Sequence, residues 1–121
     1  MTTEIGAQLR KGVVEFCILG LLEKESTYGW KLSEELITRD LIASIGTLYP
    51  VLGRLRERGF LVLNETSGGE PGAESGRPRK YYSLTAAGQQ RLQEFRDQWH
   101  PFTATVSDAI GAKITEPGAT E

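Results

Sequence analysis

Residues 43–59, Ala43-Ser44-Ile45-Gly46-Thr47-Leu48-Tyr49-Pro50-Val51-Leu52-Gly53-Arg54-Leu55-Arg56-Glu57-Arg58-Gly59, constrain the fold more than any other stretch. Leu48, Leu52 and Leu55 recur at spacings of four and three, one stripe of an α-helix. The opposite face carries Ser44, Thr47, Tyr49, Pro50 and Arg54, and Gly59 follows the last periodic residue as a stop signal. Hydroxyls lead and bases trail. A helix that enters a DNA groove needs that order, with small polar groups at base edges and cations at phosphate. Spacing alone equally allows an ordinary amphipathic helix, so the flanking sequence has to decide.

At 121 residues and 39% apolar, the chain has material for one domain with a modest core. Cys17 is the sole cysteine, which excludes a disulfide framework and fits a reducing, cytoplasmic setting. Between Phe16 and Ile18 it reads as a buried, inert thiol. No apolar run approaches the roughly 18 residues of a membrane span, and Met1-Thr2-Thr3-Glu4 lacks the basic start of a signal peptide. The formal charge of −2 argues against indiscriminate coating of nucleic acid. The bases instead clump at Arg54, Arg56 and Arg58 and again at Arg77, Arg79 and Lys80, which suits an operator binder using a few phosphate contacts. No Ser-His-Asp set, phosphate loop or paired-carboxylate motif is present, and His100, the only histidine, has no evident partner. No enzyme, cofactor or metal site is expected.

Residues 1–6 read as a frayed start, followed by a helix from Ala7 to about Lys24. Val13, Val14, Phe16, Cys17, Ile18, Leu19, Leu21 and Leu22 make that helix apolar nearly all round. Such a helix must be covered on more than one side, and a second subunit resting on Val14, Cys17 and Leu21 is one way to do it. A second helix, capped by Ser26 or Thr27, runs to about Arg39 and buries Leu32, Leu36 and either Tyr28 or Ile37. Residues 40–43 form a link with one rung of strand at Leu41-Ile42, and the helix described first follows. This is a helix-turn-helix pattern. Phe60–Glu65 reads as a strand, 66–76 as a glycine-rich loop, and Arg77–Leu84 as the returning strand, with Pro78 at its start or edge. A hairpin in that place is a wing. Thr85 caps a last helix in which Leu92, Phe95, Trp99, Phe102 and Val106 alternate at three and four, the spacing of a two-stranded seam facing another copy. Pro101 should kink or break that helix, Gly111 should stop it, and 112–121 should form a tail without order. The expected fold is mainly α (α+β): a winged helix-turn-helix over 7–84, a C-terminal dimerisation helix over 85–111, and flexible termini at 1–6 and 112–121.

Several strings, in order, resemble the PadR-like transcriptional regulators: Tyr28-Gly29, then Gly46-Thr47-Leu48-Tyr49-Pro50 before Leu52, Arg54-Leu55 and Gly59. Gly76-Arg77-Pro78-Arg79-Lys80-Tyr81-Tyr82 and Leu84-Thr85 with Gly88 continue the likeness, which covers roughly residues 9 to 100. The resemblance implies a homodimeric winged-helix repressor whose first and last helices build the dimer. For some members it also implies a cavity at that interface for flat aromatic or phenolic effectors. The chain departs from the family pattern in its long wing loop, in Gly53 and in Pro101.

These readings give a set of candidate contacts. Tyr49 would donate its hydroxyl to a phosphate; the alternative is an aromatic filling the hinge to the wing. Ser44, Gly46 and Thr47 would sit deepest in the groove, unless Ser44 merely caps the helix. Arg54 and Lys31 would meet phosphate, although a lone exposed lysine is usually only solvated. Arg77, Arg79 and Lys80 would touch the neighbouring backbone or minor groove, or else would only keep an edge strand from aggregating. Phe95 and Trp99 are dimer core or, more sharply, the walls of a site for a planar aromatic effector. The expected partners are double-stranded operator DNA, a second copy of the chain and such an effector, with no membrane. The alternative function is a winged-helix protein–protein interaction module without specific DNA binding.

Overall fold

The computed structural model describes residues 4–66 and 79–112. Helices α1 (Glu4–Lys11) and α2 (Val14–Lys24) lead into a two-residue strand, β1 (Thr27–Tyr28). Helices α3 (Gly29–Thr38) and α4 (Ile45–Glu57) form the helix-turn-helix. Strands β2 (Leu61–Thr66) and β3 (Arg79–Leu84) form the wing, and α5 (Ala86–Ile110) closes the chain. Of the loop expected at 66–76, Thr66 belongs instead to β2; residues 67–76, Arg77, Pro78 and the tail from 113 onward lie outside the described residues.

The core is a single apolar cluster built from one face of each helix from α2 onward. Ile18, Leu19, Leu32, Leu36, Leu48, Leu52 and Leu55 are all essentially inaccessible to solvent. The four-and-three stripe of α4 is therefore its buried stripe, and Ile42, Leu61, Tyr82 and Leu92 complete the cluster. The wing strands pair antiparallel from Leu61 opposite Leu84 to Thr66 opposite Arg79, and the sheet order is β1-β3-β2.

Several sequence expectations are corrected. The first helix is two helices, and it begins at Glu4 rather than Ala7. Gly12 costs about 1 kcal/mol in a helix interior, and the chain breaks there through tight bonds from Gly12 N to Leu9 O and Val13 N to Arg10 O. Neither Ser26 nor Thr27 caps α3. Thr27 is drawn into β1 by pairing with Tyr82, Ser26 Oγ lies 2.8 Å from Ser83 Oγ, and Tyr28 takes the cap position without a side-chain bond. Residues 41–42 form no strand, because Asp40 adopts φ 61° and closes α3. The bonds Leu41 N to Leu36 O and Asp40 N to Ile37 O close a Schellman motif. Gly59 at φ 86° closes α4 in the same way, with Phe60 N bonded to Leu55 O. Pro101 does not end α5, which runs for 25 residues through it to Gly111 at φ 75°. Only the bond to the Asp97 carbonyl is forfeited, and the turns on either side hold.

The cover expected for α2 from a second subunit comes in part from this chain. Phe95 of α5 stacks on Phe16 of α2, with ring centroids 4.0 Å apart and planes 6° from parallel. Val14 and Leu92 lie within the core cluster itself, while Cys17 and Leu21 pack beside it. Cys17 is half-buried rather than buried, and what burial it has pushes the thiol up from its ordinary value.

Candidate nucleic-acid interface

Helix α4 divides cleanly. Leu48, Leu52 and Leu55 are at most 1% exposed, while Ser44, Gly46, Thr47, Tyr49, Pro50 and Arg54 all stand in solvent. Ser44 occupies the cap position in extended geometry, but its hydroxyl makes no capping bond. It stays available for an outside partner. Pro50 has no N–H, so the Gly46 carbonyl also lacks its helical donor at the exposed front of the helix.

Tyr49 packs over the start of α3. It is 47% exposed, and its hydroxyl lies over the first residue of α3. A Cβ at Gly29 would come within 2.7 Å of Tyr49 Oη and 3.2 Å of the ring. Two motifs twenty residues apart are thus one piece of geometry: the missing side chain at Gly29 is the space that Tyr49 fills. Tyr82 is coupled to the same region. Burial pushes its phenol above the ordinary value, with Tyr49 adding to the rise and Arg56 opposing it.

The remaining candidates are less uniform. Lys31 is half-buried and pairs with Glu25 at 3.6 Å. Lys80 is exposed on β3 opposite Glu65, and Arg79 pairs with Thr66 through the backbone. Arg77 lies outside the described residues. Arg54 and Arg56 have no acidic partner among the described residues.

One part of this surface has no local sequence signal. The last turn of α1 brings Arg10 and Lys11 to the rim of a groove of about 650 Å³, shared with Thr47 and Arg54 of α4 and floored by Val14 and Ile42. Arg10 is anchored there by Asp40 at 3.9 Å, and Lys11 has no acidic partner among the described residues. Lys11 is more than thirty positions from Thr47, so only the tertiary fold reveals that they share a surface.

The seam of α5 has two parts. Leu92 is 3% exposed and Phe95 is stacked on Phe16, whereas Trp99, Phe102, Val106 and Ile110 project into solvent. Trp99 leans on Phe95, with centroids 5.3 Å apart and planes tilted by 33°.

Known proteins share this fold. Residues 18–94 match the model of the transcriptional regulator PadR-like family, a span that takes in α3, α4, the wing and the start of α5. The chain belongs to the PadR-like family of transcriptional regulators. It is 29% identical over 104 residues to the negative transcriptional regulator PadR of Bacillus subtilis, covering 84% of this chain and 54% of that protein. The chain thus spans about half the length of that relative. A transcriptional regulator of Mycobacterium tuberculosis is 34% identical over 89 residues, 74% of this chain and 78% of its own length. Among solved structures, a PadR-like regulator from Bacillus cereus superposes with a TM-score of 0.72 at 31% identity, covering 88% of this chain and 99% of that one. Among the described residues of this PadR-like chain, no helix is long and apolar enough to cross a membrane.

Proposed function

We propose that this PadR-like regulator is a homodimeric repressor that occupies an inverted-repeat operator. The observation that carries the proposal is the division of α4, whose buried stripe fixes it in the core while its other face offers uncommitted hydroxyls and cations to solvent. Ser44, Gly46 and Thr47 meet base edges. Tyr49 donates to a phosphate, and Arg54, Lys31 and Lys11 flank it on the backbone. Arg77, Arg79 and Lys80 carry the contact to the neighbouring groove. The uncovered seam from Trp99 to Ile110 pairs with its copy and sets two α4 helices about 34 Å apart, one duplex turn. A flat aromatic effector wedged between Phe95 and Trp99 of the two copies shifts the population away from that spacing and releases the operator.

Gel shift against the protein's own upstream region tests this. Tyr49→Ala should weaken binding roughly tenfold or more, the worth of a charge-assisted hydrogen bond. Joint replacement of Arg77 and Arg79 should flatten the salt dependence by about one unit of slope for each phosphate no longer neutralised. If both variants bind as tightly as the parent, the assignment of these residues to DNA fails.

A further inference from the structure

The chain just past α4, at Gly59 and Phe60, meets the start of α5 at Thr85 and Gly88. Thr85 Oγ1 donates to the Gly59 carbonyl at 2.7 Å and accepts from Gly88 N at 3.0 Å, while Thr85 N donates to the Phe60 carbonyl at 3.1 Å. At Gly88, a Cβ would collide with that same Phe60 carbonyl, so the first turn of α5 is pressed against the residue that follows Gly59. Beside this joint lies Arg91. Its guanidinium carbon sits 4.8 Å from the Phe60 ring centroid and 5.3 Å from that of Phe16. Arg58, at the end of α4, approaches the same Phe60 ring at 5.2 Å, and Glu15 of α2 holds Arg91 at 3.6 Å. Phe16 in turn is stacked on Phe95, which touches Trp99. A series of ring and cation–ring contacts therefore runs from the uncovered seam to the end of α4, and Arg91 is the link between Phe16 and Phe60.

We infer that Arg91 is a positioning residue: held between Phe16 and Phe60, it fixes the angle of α5 to α4 and so sets where the dimer holds its two DNA-contacting faces. The inference rests on the dimeric DNA-binding reading above, but the joint can be tested without it. A cation between two aromatic faces is attracted to both, and the planar guanidinium stacks on rings where an ammonium cannot. Removing it takes the shared cation from both rings, while Phe60 keeps Arg58, its core packing and its backbone bonds to Leu55 and Thr85. The helices stay folded on their core leucines while the angle between them loosens.

The test places spin labels at Gly53→Cys, where an added side chain meets nothing within 4 Å, and at exposed Gln98→Cys, in a Cys17→Ala background. Labelled chain is diluted into unlabelled protein, so that pulsed dipolar spectroscopy reads only the distance within one chain. With Arg91 present, a narrow distribution is expected. Arg91→Met should broaden it about twofold or shift it by several ångströms, and Arg91→Lys should fall between. In parallel, Arg91→Met should lower affinity for a two-site operator at least tenfold, while affinity for a single half-site stays within twofold. A distribution unchanged by Arg91→Met, recorded well below the thermal midpoint, overturns the positioning role, even if stability falls. A changed distribution with operator affinity intact overturns the link from this joint to DNA. If the parent protein binds neither operator nor half-site, the DNA-binding reading has failed, and with it the purpose assigned to Arg91.

Discussion

The two halves of α5 carry one spacing and meet different surroundings. Up to Phe95, the three-and-four pattern is spent on the chain's own α2, with Leu92 at 3% exposure and Phe95 stacked on Phe16. From Trp99 onward the same pattern faces water, reaching 61% exposure at Phe102 and 70% at Ile110. The near half is also tied by charge, Arg91 to Glu15 and Arg96 to Glu23, while no ion pair among the described residues involves the far half. A heptad-like seam therefore states that a helix has an apolar edge; it does not state whose surface will cover it. The near half is part of the fold, and the far half is an apolar edge that this chain leaves uncovered.

The largest effect should come from breaking the far half. Replacing Trp99 and Phe102 with aspartate puts two charges into the proposed seam but replaces no member of the core cluster. Sedimentation should show a single chain, and operator affinity should fall roughly 100-fold or more as the avidity of two linked half-sites disappears. The thermal transition should persist. A double variant that remains dimeric would place the interface elsewhere and remove the distinction between the halves.

A change in the near half should do the reverse. Leu92→Ala leaves a cavity among packed side chains and should cost roughly 2–5 kcal/mol of folding stability, read from denaturant midpoints at unchanged slope. The oligomeric state at concentrations well above dissociation should not change. If Leu92→Ala dissociates the dimer and spares stability, the boundary drawn between Phe95 and Trp99 is misplaced.

What the sequence reveals and hides follows the same boundary between local and tertiary causes. The buried stripe of α4, the wing strands, Thr85 as cap and Gly111 as stop are legible because each depends on residues within a few positions. Strand β1 is not, since two residues have no periodicity and Thr27 becomes strand only by pairing with Tyr82. Ser26 and Thr27 have the chemistry of caps, but pairing with β3 draws them away from the helix start. The apolar surface of α2 suggests a second subunit as its cover because nothing in either segment says that Phe95 folds back on Phe16. In the proposed site, the exposed hydroxyls of α4 are legible from its face pattern. The place of Lys11 beside Thr47 and the fit of Tyr49 over Gly29 are not, because both require segments distant in sequence to meet.

The smallest expected effect sharpens the comparison through pH. Glu23 accepts from Arg96 at 2.6 and 3.2 Å and from Gln89 Nε2 at 3.2 Å. The hydrogen bond from Arg96 holds the Glu23 carboxyl below its ordinary value. A carboxylate whose pKa is depressed by folding stabilises the folded state above its unfolded pKa, about 4.3 for glutamate, and loses that contribution as pH falls through the lower folded value. The pair is partly open to solvent, so the contribution is small and weakens with salt. Thermal midpoints of the parent and of Glu23→Gln should therefore differ at neutral pH and low salt, then converge on acidification below about pH 4. A gap that persists unchanged into acid would mean that Glu23 acts by packing rather than charge. The near half of α5 would then be held by its rings and leucine alone, and the ion pairs would not separate it from the far half.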